Sequence, residues 1–172
     1  MTPVSLRHAT PQDAEALGAI HVQCWREAYV GMVPDDVLAG LDPMEWAAMW
    51  RGALSRGVAV PLAMQQHAIA GFGCSGAQRD ASLPHSGEIR ALYVLRSAQR
   101  LGIGRTLMAA MARHLLAQGH PSATLWVLEA NLPARRFYEA LGGRMVARRD
   151  QEHAGFNAVE IAYDWDDLTR LT

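Results

Sequence analysis

The stretch Val94–Met108, VLRSAQRLGIGRTLM, decides the reading of this chain. A strand-like run gives way in it to a helix-like run. Gly102 and Gly104 stand at the junction, with Arg100 before them and Arg105 after. A helix N-terminus presents unpaired N–H groups and about half a positive charge. A phosphate accepts those hydrogen bonds if the backbone can come close, and glycine removes the Cβ that would block the approach. Arg100 and Arg105 would add charge-assisted contacts. A P-loop needs Lys after the second glycine, where this chain has Arg105. A dinucleotide fingerprint needs a third glycine at position 107, which is Leu107. On these residues alone, a tight turn with no ligand explains the glycines equally well.

Outward from the junction, periodicity predicts the remaining elements. GEIRALYVL is a strand whose alternation places Glu88, Arg90 and Leu92 on one face and Ile89, Ala91 and Tyr93 on the other. The helix after the glycines carries an apolar stripe of Leu107, Met108, Met111 and Leu115. SATLWVL is a strand. NLPARRFYEALGG is a helix capped by Asn131, with Pro133 in its first turn and Gly142 as its stop. GRMVARRD and NAVEIAYDW are the last two strands. Upstream, VAVPLAMQ and AIAGFGCSGA read as an antiparallel pair with His67 near the turn. Short and longer helices are expected around Asp36–Leu41 and Pro43–Leu54. Before them VSLRHA is a strand, and TPQD starts a helix with Thr10 as N-cap and Asp13 reaching back. Ala14, Leu17, His21, Cys24 and Ala28 form its buried face. The pattern predicts one α/β domain over residues 1–172, with a mixed, largely antiparallel central sheet flanked by helices.

The bulk properties narrow the function classes. A chain of 172 residues, half of them apolar, suits a single substantial core. The formal net charge of -1 offers no basic field for nucleic acid. No apolar run reaches the ~18–20 residues of a membrane span, and MTPVSLRHAT lacks the apolar segment of a signal peptide. The only cysteines, Cys24 and Cys74, fit no metal or redox spacing and are read as buried thiols in a reducing cytoplasm. None of the 7 histidines stands in an HxH or HExxH arrangement, so no metal site is expected.

Two motifs in order add a family resemblance. Gln99, Gly102 and Gly104 match the Q/R-x-x-G-x-G/A signature of the GNAT superfamily of acyl-CoA-dependent N-acetyltransferases. Asn131, Ala134, Phe137, Tyr138 and Gly142 match its second half in order and spacing. The chain resembles that superfamily most strongly over residues 88–143. The resemblance implies that the strands at Ala91–Val94 and Leu125–Leu128 splay apart to admit the pantetheine arm of acetyl-CoA. Backbone groups of Leu92, Tyr93 and Val94 would meet the arm. The loop Gln99, Arg100, Leu101, Gly102, Ile103, Gly104, Arg105 and Thr106 would hold the pyrophosphate, with Asn131 and Ala134 also at the cofactor. Two departures stand out. Gly143 replaces the usual aromatic, leaving a smaller or wetter contact, and Arg100 and Leu101 replace a commoner Gly and basic residue.

The implied reaction is attack of a neutral primary amine on the thioester within a ternary complex, with much of the rate coming from positioning. By the same resemblance Tyr138 is the donor to the leaving sulfur and Glu88 the candidate base, with Glu129 second. A phenol is a weaker acid than a thiol, so a hydrogen bond to the developing thiolate describes the donor better than full transfer. Trp25, Tyr29 and Trp126 would line the acceptor side, whereas Trp46 and Trp50 read as packing. The expected acceptor is a small-molecule amine. A protein N-terminus or lysine, and a non-catalytic acyl-CoA sensor, are the alternatives. Glu27, Asp35, Asp36 and Glu45 either suit a cationic acceptor or are solvated surface charges. Exposed C-terminal strands would permit a homodimer.

Overall fold

The computed structural model describes residues 4–172; Met1–Pro3, part of the stretch read for a signal segment, lie outside it. The first strand, β1 (Ser5–His8), ends at a local stop-and-start signal. The Thr10 N–H donates to Asp13 Oδ2 at 2.8 Å, and a 3-10 turn over Pro11–Asp13 feeds α1 (Ala14–Ala28). Then come α2 (Asp35–Ala39) and α3 (Pro43–Ser55), the latter capped by Asp42, whose carboxylate accepts from the Met44 N–H. The hairpin of β2 (Pro61–Gln65) and β3 (Ala68–Ala77) turns through Gln66 and His67, both at positive φ. After it follow β4 (Gly87–Val94), α4 (Ile103–Ala117), β5 (Ala123–Leu128), α5 (Leu132–Ala140), β6 (Arg144–His153) and β7 (Phe156–Trp165).

The seven strands form one sheet in the order β1-β2-β3-β4-β5-β7-β6. Every pairing is antiparallel except β4 with β5. One face carries α1 and α3, whose Leu17, Cys24 and Trp50 cluster with Leu62 and Phe72 of the sheet. The other carries α4 and α5, with Met108, Met111 and Leu115 packed on Leu125, Ile161 and Tyr163. Both cysteines are free and buried, and burial, with Glu27 nearby, pushes the Cys24 thiol up to about 12.

Strict alternation along β4 does not hold. The β3–β4 register jumps from Cys74↔Ala91 to Ser75↔Ile89, leaving Arg90 as an extra residue. A bulge inverts the alternation beyond it. Ile89 and Leu92 therefore both pack toward α4, while Ala91 and Tyr93 pack toward α1 and α3. The Arg90 guanidinium lies across Gly76, where a Cβ would come within 2.8 Å of it. The contact at Gly143 also differs from the expected small or wet one. A Cβ there would meet the Trp165 ring at 2.7 Å, and Trp165 is buried. The aromatic bulk missing from position 143 is supplied across the hairpin by Trp165.

Two core positions carry measurable consequences. Gly18 lets α1 cross the start of α3 at close range: a Cβ there would lie 2.4 Å from the Pro43 carbonyl oxygen and 2.6 Å from the Ala47 nitrogen. Both obstacles are backbone, so Gly18→Ala must push the helices apart. A loss of about 2 kcal/mol or more in urea denaturation is expected. His21 accepts from Trp50 Nε1 at Nδ1, 3.1 Å away, among the rings of Trp46, Phe72 and Tyr93. Burial lowers its pKa from 6.5 to about 3. The unfolded chain binds a proton in that window that folded His21 does not, so stability falls as pH falls through it. Between pH 7 and pH 4 the loss from this group is on the order of 3 kcal/mol. His21→Gln, which keeps an acceptor for Trp50, should show a shallower acid limb in melting temperature.

Candidate functional site

β4 and β5 pair at only two positions, Gly87↔Ala123 and Glu88↔Thr124, although β4 runs on to Val94 and β5 to Leu128. Beyond those pairs the strands part. A cavity of about 310 Å³ opens between them, floored by Leu92, Tyr93, Leu125 and Trp126 and edged by Asn131, Ala134 and Tyr138 of the α5 region. Trp25 and Tyr29 reach it from α1. The helix that follows β5 is thus placed directly beside the gap, because Asn131 turns the chain there. Its Oδ1 accepts from the Ala134 N–H at 3.2 Å.

The β4–α4 junction is built from strained and bare backbone. Arg100 has φ 61 and Gly102 φ 82, both left-handed. Gly102 leaves open space, with nothing within 4 Å of where its Cβ would stand. The second glycine has a different reason. A Cβ on Gly104 would press on the Phe137 ring at 3.1 Å, so Gly104 serves the packing of α4 on α5. The first backbone bond of α4 runs from the Thr106 N–H to the Gly102 carbonyl, and among the described residues no backbone carbonyl receives the N–H groups of residues 100–105. Gln99 Nε2 donates to the Val94 carbonyl at 3.2 Å and pins the loop to the end of β4. Ile103 is buried, Leu101 half exposed. Arg100 and Arg105 pair with no carboxylate among the described residues. A ligand with several phosphate oxygens fits this cradle of donors.

At the other end lies a wall of aromatic hydroxyls. Trp25 Nε1 donates to the Tyr93 hydroxyl at 3.0 Å, and the Tyr93 and Tyr29 hydroxyls lie 3.4 Å apart. Trp25 and Tyr29 also touch edge to face, 5.0 Å between centroids. Burial raises the phenol pKa of Tyr93 and Tyr29, and for Tyr29 the nearby Glu160 adds to it. Tyr138 is 8% exposed and lines the cavity, and its hydroxyl is not among the fully buried, unpartnered atoms. Burial, with Tyr29 close by, holds that hydroxyl well above the usual phenol range, so it is protonated at any physiological pH.

Charged residues complete the lining. Glu88 does border the cavity, but Arg79 bonds both its oxygens, at 2.7 and 2.8 Å, and the Arg90 Nε stands 3.5 Å away. Glu129 turns outward to Arg148 and borders no part of the cavity. Glu27, Asp35, Asp36 and Glu45 are also absent from the lining. Sequence reasoning missed Arg79, Arg149, His153, Phe156 and Glu160, which all border it. Arg149 lies over the Trp126 ring at 3.9 Å and bridges Asp80 and Glu160. Trp126 Nε1 bonds Asp80 as well, so the β3–β4 loop is tied to the sheet at the cavity rim. One signal was available: Glu160 is the lone charge inside AVEIAY, an otherwise apolar run. A charge there must face a polar site or a partner.

Comparison with known proteins agrees with this geometry. The model of the acetyltransferase (GNAT) family matches residues 18–143. An uncharacterized N-acetyltransferase of Bacillus subtilis, YuaI, is 34% identical over 168 residues, covering 98% of this chain and 96% of its own. Among solved structures, the PaiA N-acetyltransferase of Thermoplasma acidophilum in complex with coenzyme A superposes with a TM-score of 0.76 at 16% identity, covering 95% of this chain and 99% of that one. YncA of Salmonella typhimurium, an acetyltransferase solved with its cofactor acetyl-CoA, gives 0.70 at 17% identity, covering 96% and 94%.

The left-handed φ of Gly102 gives a direct test of the junction. Gly102→Ala meets no steric obstacle, so its cost is conformational, about 1 kcal/mol. Urea denaturation should show the midpoint falling with an unchanged slope.

Proposed function

This chain belongs to the acetyltransferase (GNAT) family, and we propose that it transfers acetyl from acetyl-CoA to the primary amine of a small molecule by direct attack in a ternary complex. The observation that carries the reading is the gap beyond the two β4–β5 pairs, with unpaired N–H groups at one end and the Tyr138 hydroxyl at the other. The open edges of β4 and β5 suit the amides of a pantetheine arm, with Leu92, Tyr93 and Val94 on one side and Asn131 and Ala134 on the other. The N–H groups and side chains of residues 99–106 suit its pyrophosphate, and unpaired Arg100 and Arg105 suit its charge.

The acceptor side supports a small molecule over a protein N-terminus or lysine. Trp25, Tyr29 and Trp126 wall a cavity of about 310 Å³. The β6–β7 hairpin closes over it until Gly155 stands against Val37 of α2: a Cβ there would lie 3.1 Å from the Val37 side chain. That contact between the hairpin and α2 favours a small amine over an extended peptide. The four acidic residues of the opening region border no part of it, which removes the argument for a strongly cationic acceptor.

In the reaction, the amine nitrogen attacks the thioester carbon and the carbon–sulfur bond breaks. Tyr138 donates a hydrogen bond to the sulfur as it gains charge. Burial makes full proton transfer from this phenol uphill, so it acts as a fixed donor. Glu88 is held by Arg79 and contributes a fixed negative charge beside the cavity, where the attacking nitrogen becomes positive.

Acetyl-CoA at 100 times its Kd should stabilise the protein by about 2.7 kcal/mol. That corresponds to a rise in melting temperature of roughly 5–10 °C, absent with NAD. No rise would refute the cofactor assignment. Tyr138→Phe keeps the ring packed on Trp165 and should keep the thermal shift. Its kcat, read as CoA thiol release with amines from a screen, should fall by about 100-fold.

A further inference from the structure

His153 ends β6, and its ring stacks on Phe156, 4.8 Å between centroids and 13° between planes. It borders the same cavity as Tyr138. Its Nε2 is buried without a hydrogen bond, yet stands 3.3 Å from Glu160 Oε1. Glu160 is 8% exposed, and Arg149 occupies its other oxygen at 2.7 Å. Among the described residues the imidazole Nδ1 bonds no protein group, and it is not one of the buried, unpartnered atoms. We infer that His153 is the base that takes the proton from the acceptor's ammonium at Nδ1, and that Glu160 is the positioning residue that holds the proton on Nε2. This rests on the acetyl-transfer reading above.

The tautomer follows from the contact. No hydrogen bond forms at this ring orientation, but a bare Nε2 would hold its lone pair 3.3 Å from a carboxylate oxygen, whereas an Nε2–H places a donor beside that charge. The proton therefore sits on Nε2, and Nδ1 is left bare to accept. The charged and titratable groups around the ring are Glu160 on β7, Arg149 on β6, Asp80 of the β3–β4 loop through Arg149, and Tyr29 on α1 beside Glu160. Glu88 lacks this openness, because Arg79 bonds both its oxygens. The protons balance. The ammonium gives one proton to His153, which passes it to solvent, and becomes the neutral nucleophile. As the carbon–nitrogen bond forms and the carbon–sulfur bond breaks, the second proton leaves to solvent. CoA departs as a thiolate bonded by Tyr138 and is protonated from water.

Long-range 1H–15N spectra of the CoA-saturated protein test the arrangement, with His153 assigned by its loss in His153→Gln. The expected result is an Nε2–H ring with bare Nδ1 in the wild type and a mixture of tautomers in Glu160→Gln. An Nδ1–H ring, or an unchanged tautomer in Glu160→Gln, overturns the assignment. With an acceptor from the amine screen, His153→Gln should lose about 100-fold or more in kcat/KM for the amine and keep its KM for acetyl-CoA. A His153→Gln rate within about threefold of wild type overturns the proposal. Absence of the acetyl-CoA thermal shift in the wild type would instead refute the reading of the cofactor, so the two failures are distinct.

Discussion

β4 and β5 meet for two residue pairs and then part, and the site depends on that separation. A buried main-chain N–H or carbonyl needs a partner. Two strands that diverge inside a sheet therefore expose a pair of edges that only water or a ligand can satisfy. The parallel direction of this one pairing requires a crossover, and α4 is that crossover. Its N-terminus accordingly lies at the end of β4, at the mouth of the gap, with its own unpaired N–H groups. The helix after β5 begins on the other side of the same gap and carries Tyr138 into it. Divergence, open helix N-terminus and buried phenol are three results of one topology.

The aromatic wall of the cavity draws its rigidity from the core behind it. Tyr93 belongs both to the aromatic set around His21 and to the hydroxyl contact with Trp25 and Tyr29. The Arg90 bulge is what brings Tyr93 to that face, by inverting the alternation of β4 between Ile89 and Ala91. Opposite this wall, charge is organised in two linked groups: Arg79 with Glu88, and Arg149 with Asp80 and Glu160. Such groups are costly to bury unless paired. Here each carboxylate is paired, and His153 Nε2 stands against Glu160 without a formed bond.

Local chemistry made much of this legible in advance. Thr10 with Asp13, Asn131 with Ala134, and the left-handed turn at Gly102 are contacts over a few residues, so residue type and spacing suffice to find them. The strands and helices followed from apolar period, and the two ordered motifs carried the family. The alternation of β4 was misread because a bulge depends on register with β3, which no period within β4 encodes. The packing of Gly104 on Phe137 was not legible, because that ring comes from a different helix.

The sequence by itself determined the elements, the sheet class and the positions of the glycine loop and Tyr138, because each rests on short-range pattern. Only the tertiary structure decided which charges face the cavity. Glu88 and Glu129 look alike in sequence, each beside a strand, yet Arg79 clamps one at the cavity and Arg148 draws the other outward. His153 and Glu160 lie apart on opposite strands of a hairpin and carry no motif; only the folded hairpin brings them to 3.3 Å. The physical reason is range. Hydrogen-bonded caps and amphipathic faces are set by neighbours along the chain. The partner of a side chain across a cavity is set by strand register and by which edges the sheet leaves open.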